Sequence, residues 1–246
     1  QTTSRIAVID LTETIIDKAM RLIARGLAAN RLKTVASGLE NIPAHGPVLI
    51  VVRHYHHFYD GLALFAVLPR PFHIVVTMDW VQTKPTKIFM ESINRWARWP
   101  MVLRGDALLR IADNKQSLFS EWDPMRYKRA AMRQCVDLLV QGRVLVIFAE
   151  GYPNIDPVYT PKTEPDEFLP YKVGFVNIAS AAERCLRGKV PIIAAGSRYD
   201  EEKPWIGHIA FGEAIYRDNF STKLEPITFM ERKVKGLSGI TCDKKS

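Results

Sequence analysis

Short apolar runs limit what this chain can fold into. Residues 48–52 read VLIVV, 72–78 FHIVVTM, 144–148 VLVIF and 190–196 VPIIAAG. Each is too short for an ordinary helix, and each is apolar along nearly its whole length instead of at alternate positions. A strand carries apolar groups on both faces when both faces are covered, as in a mostly parallel sheet between helix layers. The intervening segments have helical spacing. Across 124–141, Ala131, Cys135, Leu138 and Leu139 share one side and Gly142 stops the run, while VNIASAAERCL (176–186) is closed by Gly188. A last short strand is expected near HIAFG (208–212). Alternating strands and helices predict an α/β fold with a mostly parallel central sheet flanked by helices.

Upstream, LTETIIDKAMRLIARGLAA (11–29) predicts an amphipathic helix, with Ile15, Ile16, Ala19, Met20, Leu22, Ile23 and Leu27 opposite Lys18, Arg21 and Arg25. Such a helix either packs on the domain or lies in a membrane interface with its basic side toward lipid phosphates. Residues 1–34 are therefore expected to form this helical element, 35–230 the main domain, and 231–246, rich in Lys, Gly and Ser, a poorly ordered tail. The stretch NIDPVYTPKTEPDEFLP (154–170) is expected to be a long surface loop beside a site. The chain begins with Gln1 and not Met, which leaves open a native segment, a targeting signal included, ahead of it.

Charge narrows the partners. The formal net charge is +8, which favours nucleic acid, phosphorylated small molecules or an anionic membrane. Lys and Arg are spread along the chain without an aromatic/basic RNA motif or a zinc finger, so nucleic acid is not expected. Cys135, Cys185 and Cys242 are far apart and odd in number, consistent with reduced thiols of a cytosolic protein. No run approaches eighteen uninterrupted apolar residues, so no spanning helix is expected. Trp80, Trp96 and Trp99, interleaved with Arg95 and Arg98, suit a lipid interface, though packing accounts for at least one of them.

Chemistry concentrates in RHYHHFYDGLAL (53–64), which holds His54, His56 and His57, half of the chain's six histidines, and then Asp60. It follows VLIVV directly, and ligands of open α/β sheets gather at the carboxyl ends of strands. His56 and Asp60 at four-residue spacing could share a metal with His54 or His57, but the Glu of hydrolytic zinc helices is missing. A structural histidine–carboxylate pair is a second possibility. A third is an acid–base dyad, in which Asp60 holds an imidazole in its useful tautomer. The chain has no Gly-x-Ser-x-Gly elbow and no cysteine nearby, so a base here would activate a substrate hydroxyl or amine.

Four blocks in order make the chain resemble the glycerophospholipid acyltransferase superfamily, of the lysophosphatidate acyltransferase type. GLENIP with GPVLIVVRH and Asp60 is similar to the family's first strand and His-x-x-x-x-Asp motif; WPMVLRG (99–105) is similar to the second block, with Arg104 at its arginine. VLVIFAEG (144–151) is similar to the Phe-Pro-Glu-Gly-Thr-Arg block through Phe148, Glu150 and Gly151, and VPIIAAG to the fourth block through Pro191. YKVGFVNIA (171–179) and FGEAI (211–215) extend the likeness over residues 35–220.

The resemblance implies transfer of a fatty acyl group from acyl-CoA or acyl-carrier protein to a hydroxyl of a lysophospholipid, peripherally on the cytoplasmic face of a membrane. It implies His54 and Asp60 as the catalytic pair with His57 as second candidate base, Arg104, Glu150 and Gly151 at the acceptor, and Pro191 at the acyl pocket. Neither metal nor bound cofactor is called for, and backbone N–H groups would steady the oxyanion. Three departures stand out. Five residues separate His54 from Asp60 where the family has four; Tyr152 and Pro153 replace the Thr-Arg of the third block, leaving Arg104 to bind phosphate, alone or with Lys172 or Arg198; Ala194 replaces a proline of the fourth. Two alternatives stay open: a His-x-x-x-Asp-Gly acyltransferase built on His56 with a non-lipid acceptor, and a pseudoenzyme that binds lipid.

Overall fold

A computed structural model describes residues 2–112 and 118–240, with side chains at 14–108 and 118–240. In chain order the elements are α1 (Thr2–Ala28), β1 (Leu32–Ser37), β2 (Val48–Val52), α2 (Tyr59–Val67), β3 (Phe72–Ile74), β4 (Val76–Thr77), α3 (Lys84–Trp96) and β5 (Met101–Val102). Then come α4 (Gly105–Ala112), α5 (Asp123–Val140), β6 (Val144–Phe148), α6 (Gly174–Leu186), β7 (Ile192–Asp200), β8 (Trp205–Ile215) and α7 (Glu225–Leu237). Six strands form one sheet in the order β1-β8-β7-β2-β6-β3. Every neighbouring pair is parallel except β7 and β8, which form an antiparallel hairpin.

The apolar runs are explained by two cores, one on each face. Val48, Ile50 and Val52 of β2, with Val144 and Val146 of β6 and Ile193 and Ala195 of β7, pack toward α1 and α2. Leu49, Val51, Leu145, Ile192 and Ala194 point the other way, into a core shared with α5, α6 and α7. Alternate side chains of one strand thus enter different cores. Each buried aliphatic side chain contributes about 1.5–3 kcal/mol.

Several expectations change in the structure. The helix at 11–29 begins already at Thr2, and Ile16, Ala24 and, partly, Met20 and Ala28 supply its packing stripe, whereas Ile15, Leu22, Ile23 and Leu27 are exposed. Arg21 clamps it in place by donating to the carbonyls of Phe65 and Leu68 at 2.8 Å and Arg70 at 3.0 Å, the end of α2 where unpaired carbonyls favour a cation. The strand expected over 72–78 is two strands: after Val75 the chain leaves β6, and the Val76 N–H turns to Pro100 O at 2.9 Å. β1, α3, β5 and α4 have no counterpart among the elements expected from the sequence; β1 shows only faint alternation, with Leu32 buried and Lys33, Val35 and Ser37 exposed. The boundary expected at 34/35 falls inside β1, and the tail expected to be poorly ordered from 231 is helical to Leu237, because Met230 and Val234 are fully buried. Cys242 lies outside the described residues.

Two tests follow. A side chain at Gly196 would place its Cβ 2.3 Å from the Leu237 carbonyl carbon and 2.4 Å from the Ser238 nitrogen, backbone atoms that cannot swing away. Gly196→Ala is expected to cost about 2–3 kcal/mol in urea unfolding by forcing α7 off the sheet. Buried His73 on β3 bonds through Nδ1 to Ala97 O at 3.1 Å, and burial pushes its imidazole down to about 4, so it is neutral in the fold. A depressed histidine pKa makes the unfolded chain bind more protons, so its penalty appears as pH falls from about 6.5 toward 4. His73→Gln should lose about 2 kcal/mol less stability than the parent between pH 7 and pH 4.5.

Candidate active site

β2 and β6 end side by side, with Val52 opposite Phe148, and Val52 also opposite Ala195 of β7. Arg53 and His54 therefore leave the sheet next to Ala149 and Glu150. His54 stacks on the Phe148 ring at 4.1 Å between centroids, and its Nδ1 lies 2.8 Å from Asp60 Oδ2. That oxygen also accepts the backbone N–H groups of Tyr55 at 2.8 Å and His56 at 3.2 Å, and Oδ1 accepts the Tyr199 hydroxyl at 2.7 Å. Burial first, and then the carboxylate, raise the Tyr199 pKa well above its ordinary value, which keeps this hydroxyl a donor. A carboxylate surrounded by three other donors acts as an acceptor toward His54 as well. In the neutral ring this arrangement favours the hydrogen on Nδ1, with the lone pair on Nε2.

The other two imidazoles are engaged differently. His56 Nδ1 accepts the N–H groups of Phe58 at 3.1 Å and Tyr59 at 3.2 Å, capping the first turn of α2. Burial, reinforced by neighbouring His57, brings its pKa down to about 4, as an acceptor nitrogen requires. His57 is exposed, its Nδ1 3.2 Å from Ile155 O. Between His54 and Asp60 the chain pairs with the 154–170 segment: Ile155 N–H donates to Tyr55 O at 2.8 Å and His57 N–H to Ile155 O at 3.0 Å.

Beneath His54 lies a layer of buried charge. Glu150 accepts the His54 N–H at 3.0 Å on Oε1, and on Oε2 the Leu169 N–H at 3.2 Å and the Lys162 ammonium at 2.5 Å. Expected at the acceptor, Glu150 is instead fully enclosed, because both its oxygens are taken up from inside the protein. Arg53 is buried between the Tyr55 and Phe168 rings and donates to Ser197 O at 3.1 Å and Pro165 O at 2.8 Å. It ties the strand end to the long segment.

Arg104, also buried, is held by Asp79 through Nε at 3.0 Å and Nη2 at 2.5 Å, donates from Nη1 to Gly151 O at 3.1 Å and lies 4.0 Å over the Tyr152 ring. Gly151 adopts φ +81°, a left-handed conformation, and a Cβ there would sit 3.2 Å from Lys172 Nζ. Exposed Lys172 thus stands over Gly151, beside Tyr152, whose hydroxyl donates to Asp106 at 2.7 Å. Burial opposes ionisation of Asp106, but that hydroxyl, backbone N–H groups and Lys172 outweigh it and lower its pKa.

The structure brings His54, Asp60, Arg104, Glu150 and Gly151 to one edge of the sheet. Pro191 is not among them: it precedes β7, and its carbonyl accepts the N–H of Leu49. His54 lies five residues further along the chain than Leu49, about 16 Å in extended backbone. Asp79, Lys162 and Tyr199 were not singled out in the sequence. None belongs to a recognisable spacing, and only Lys162, within the loop expected beside a site, carried a signal.

The fold and blocks can be set against known proteins. The chain is 26% identical over 124 residues to a 1-acyl-sn-glycerol-3-phosphate acyltransferase of Chlamydomonas reinhardtii, a match spanning 50% of this chain and 30% of the algal protein. It thus spans less than a third of that relative. The crystal structure of PlsC, the 1-acyl-sn-glycerophosphate (LPA) acyltransferase of Thermotoga maritima, superposes with a TM-score of 0.60 over 95% of this chain and 83% of the bacterial one, at 14% identity, and so shares the fold. Among the described residues no helix is long and apolar enough to cross a membrane. The family profile described as Acyltransferase matches residues 33–198, from β1 into β7 and through the charged side chains from Arg53 to Lys172 at this edge of the sheet. On that match, which takes in well over half of its length, the chain belongs to the acyltransferase family.

Proposed function

We propose that this protein transfers a fatty acyl group from acyl-CoA or acyl-carrier protein to a hydroxyl of a lysophospholipid, with His54 as general base and Asp60 as its partner. The observation carrying this is the 2.8 Å contact between His54 Nδ1 and Asp60, which leaves Nε2 to take the acceptor's proton. The freed alkoxide attacks the thioester carbonyl, the tetrahedral intermediate collapses, and the thiol leaves with the proton that His54 carried. The likeness to the algal and bacterial enzymes supports a lysophosphatidate-type acceptor. Its phosphate is assigned to Lys172, which brings exposed charge over Gly151, while Asp79 balances the charge of neighbouring Arg104 and fixes its plane. His56, the base of the His-x-x-x-Asp-Gly alternative, has its Nδ1 committed to the backbone, which argues against that chemistry.

We also place the protein peripherally on an anionic, cytoplasmic membrane face. α3 turns Ile88 (66% exposed), Phe89 (62%) and Trp96 (52%) outward, with exposed Lys84 and Arg95 among them. Trp96 shares a small cavity with Ile16 and Met20 of α1, whose own outer side carries Ile15, Leu22, Lys18 and Arg25. Apolar side chains rimmed by cations suit an interface of acyl chains and phosphates. Trp99 packs near Phe65, and Trp80 donates its indole N–H to Thr77 O, so of the three central tryptophans Trp96 has the lipid-facing position.

Two measurements test these assignments. With labelled acyl-CoA or acyl-carrier protein and a panel of lysolipids, His54→Ala is expected to lower turnover by about 10²–10⁴-fold. His57→Ala should retain most activity. An active His54→Ala variant would remove the proposed base. Replacing Ile88 and Phe89 together by Glu should abolish co-sedimentation with anionic vesicles while sparing turnover of detergent-dispersed lysolipid; unchanged vesicle binding would exclude α3 as the contact.

A further inference from the structure

Lys162 lies at the centre of the proline-rich segment, yet its side chain is fully buried. An ammonium has three hydrogens to donate. All three are committed: to Glu150 Oε2 at 2.5 Å, Asn154 Oδ1 at 3.0 Å and the backbone carbonyl of His54 at 3.1 Å. Nothing is left for a substrate, so Lys162 is no acceptor ligand. Its third bond completes a closed figure. Glu150 holds the N–H of His54 and Lys162 holds the C=O, while the carboxylate and the ammonium pair with each other. The next N–H, of Tyr55, is taken by Asp60. The peptide units on both sides of the His54 Cα are therefore fixed, and with them the direction in which the imidazole leaves the strand.

We propose that Lys162 is the positioning residue of the catalytic histidine, acting with Glu150 to hold the His54 backbone so that the ring stays between Asp60 and Phe148. This rests on the acyl-transfer function proposed above. It also explains why the long segment is ordered. Asn154 Nδ2 donates to the carbonyls of Glu164, Pro165 and Glu167, and Arg53 reaches Pro165, so the segment is folded around the ammonium it delivers. Placement within an ångström governs the rate of a proton-transfer step more than it governs binding.

The test compares Lys162→Met with the double variant Glu150→Gln/Lys162→Met. The single change leaves a buried carboxylate unpaired and is expected to lower the melting temperature; the double change removes both charges and should restore it. Turnover should fall by about 10–100-fold in the double variant, with KM for donor and lysolipid near the parent values. The Nδ1–H proton resonance of His54 should move, reporting a changed contact with Asp60. A double variant with parental kcat and an unmoved resonance would overturn the proposal. Should neither variant fold, Asn154→Ala, which keeps both charges but removes one acceptor of the ammonium and the amide N–H bonds to the Glu164, Pro165 and Glu167 carbonyls, is the deciding arm: a lower kcat at constant KM together with a moved His54 resonance supports the role, and parental kcat overturns it. If the parent protein transfers no acyl group from any thioester, the function proposed above fails, and the resonance alone decides on Lys162.

Discussion

Asp60 is a carboxylate only 2% exposed, and the site is arranged around the need to compensate it. Taking such a charge out of water costs several kcal/mol, and hydrogen bonds to charged groups return about 1.5–3 kcal/mol each. Four donors converge on it: an imidazole, two backbone N–H groups and a tyrosine hydroxyl. Three of them come from the loop between β2 and α2, and the fourth from the far end of β7, so the carboxylate binds the loop to the sheet and orients the imidazole in one step. Losing the imidazole would leave three donors in place, which suits a group that stabilises and orients without taking the proton itself.

The same compensation extends outward. Among the described residues, the buried carboxylates are Asp60, Asp79 and Glu150 and the buried cations Arg53, Arg104 and Lys162, all at the carboxyl edge of the sheet. Their charges balance. Such a layer gives rigidity and direction but little net field, because each charge has a nearby opposite or a set of backbone dipoles. Under the proposed function, attraction of an anionic substrate would then fall to exposed cations such as Lys172 and to the overall +8. The residues that carry these charges come from the ends of β2 and β6, the start of α2, the turns after β4 and β5 and the long loop, so the layer is assembled from parts scattered along the chain.

Much of this was legible along the chain. Apolar runs bounded by Gly and Pro located β2 and β6 and most of β7, because strands covered on both faces leave an unmistakable composition. His54 and Asp60 could be named, and the resemblance ordered the blocks. Less legible were the elements whose pattern depends on partners: β1 is half exposed, and the run at 72–78 splits because its second half pairs with β5. Spacing also left three histidines competing, since one residue too many between His54 and Asp60 could be a bulge or a change of base.

By itself the sequence determined the layered α/β architecture, the placing of the histidine cluster at a strand's carboxyl end and the basic character of the chain, all read from composition and the order of residues along it. Tertiary structure decided which imidazole meets Asp60, that Arg104 and Glu150 are engaged from within, and that Pro191 stands at the other end of the sheet. The physical reason is range. Periodicity is a local property of the chain, whereas the Lys162–Glu150, Arg104–Asp79 and Tyr199–Asp60 contacts join residues from different elements, and only the folded arrangement of strands and loops brings them within hydrogen-bond reach.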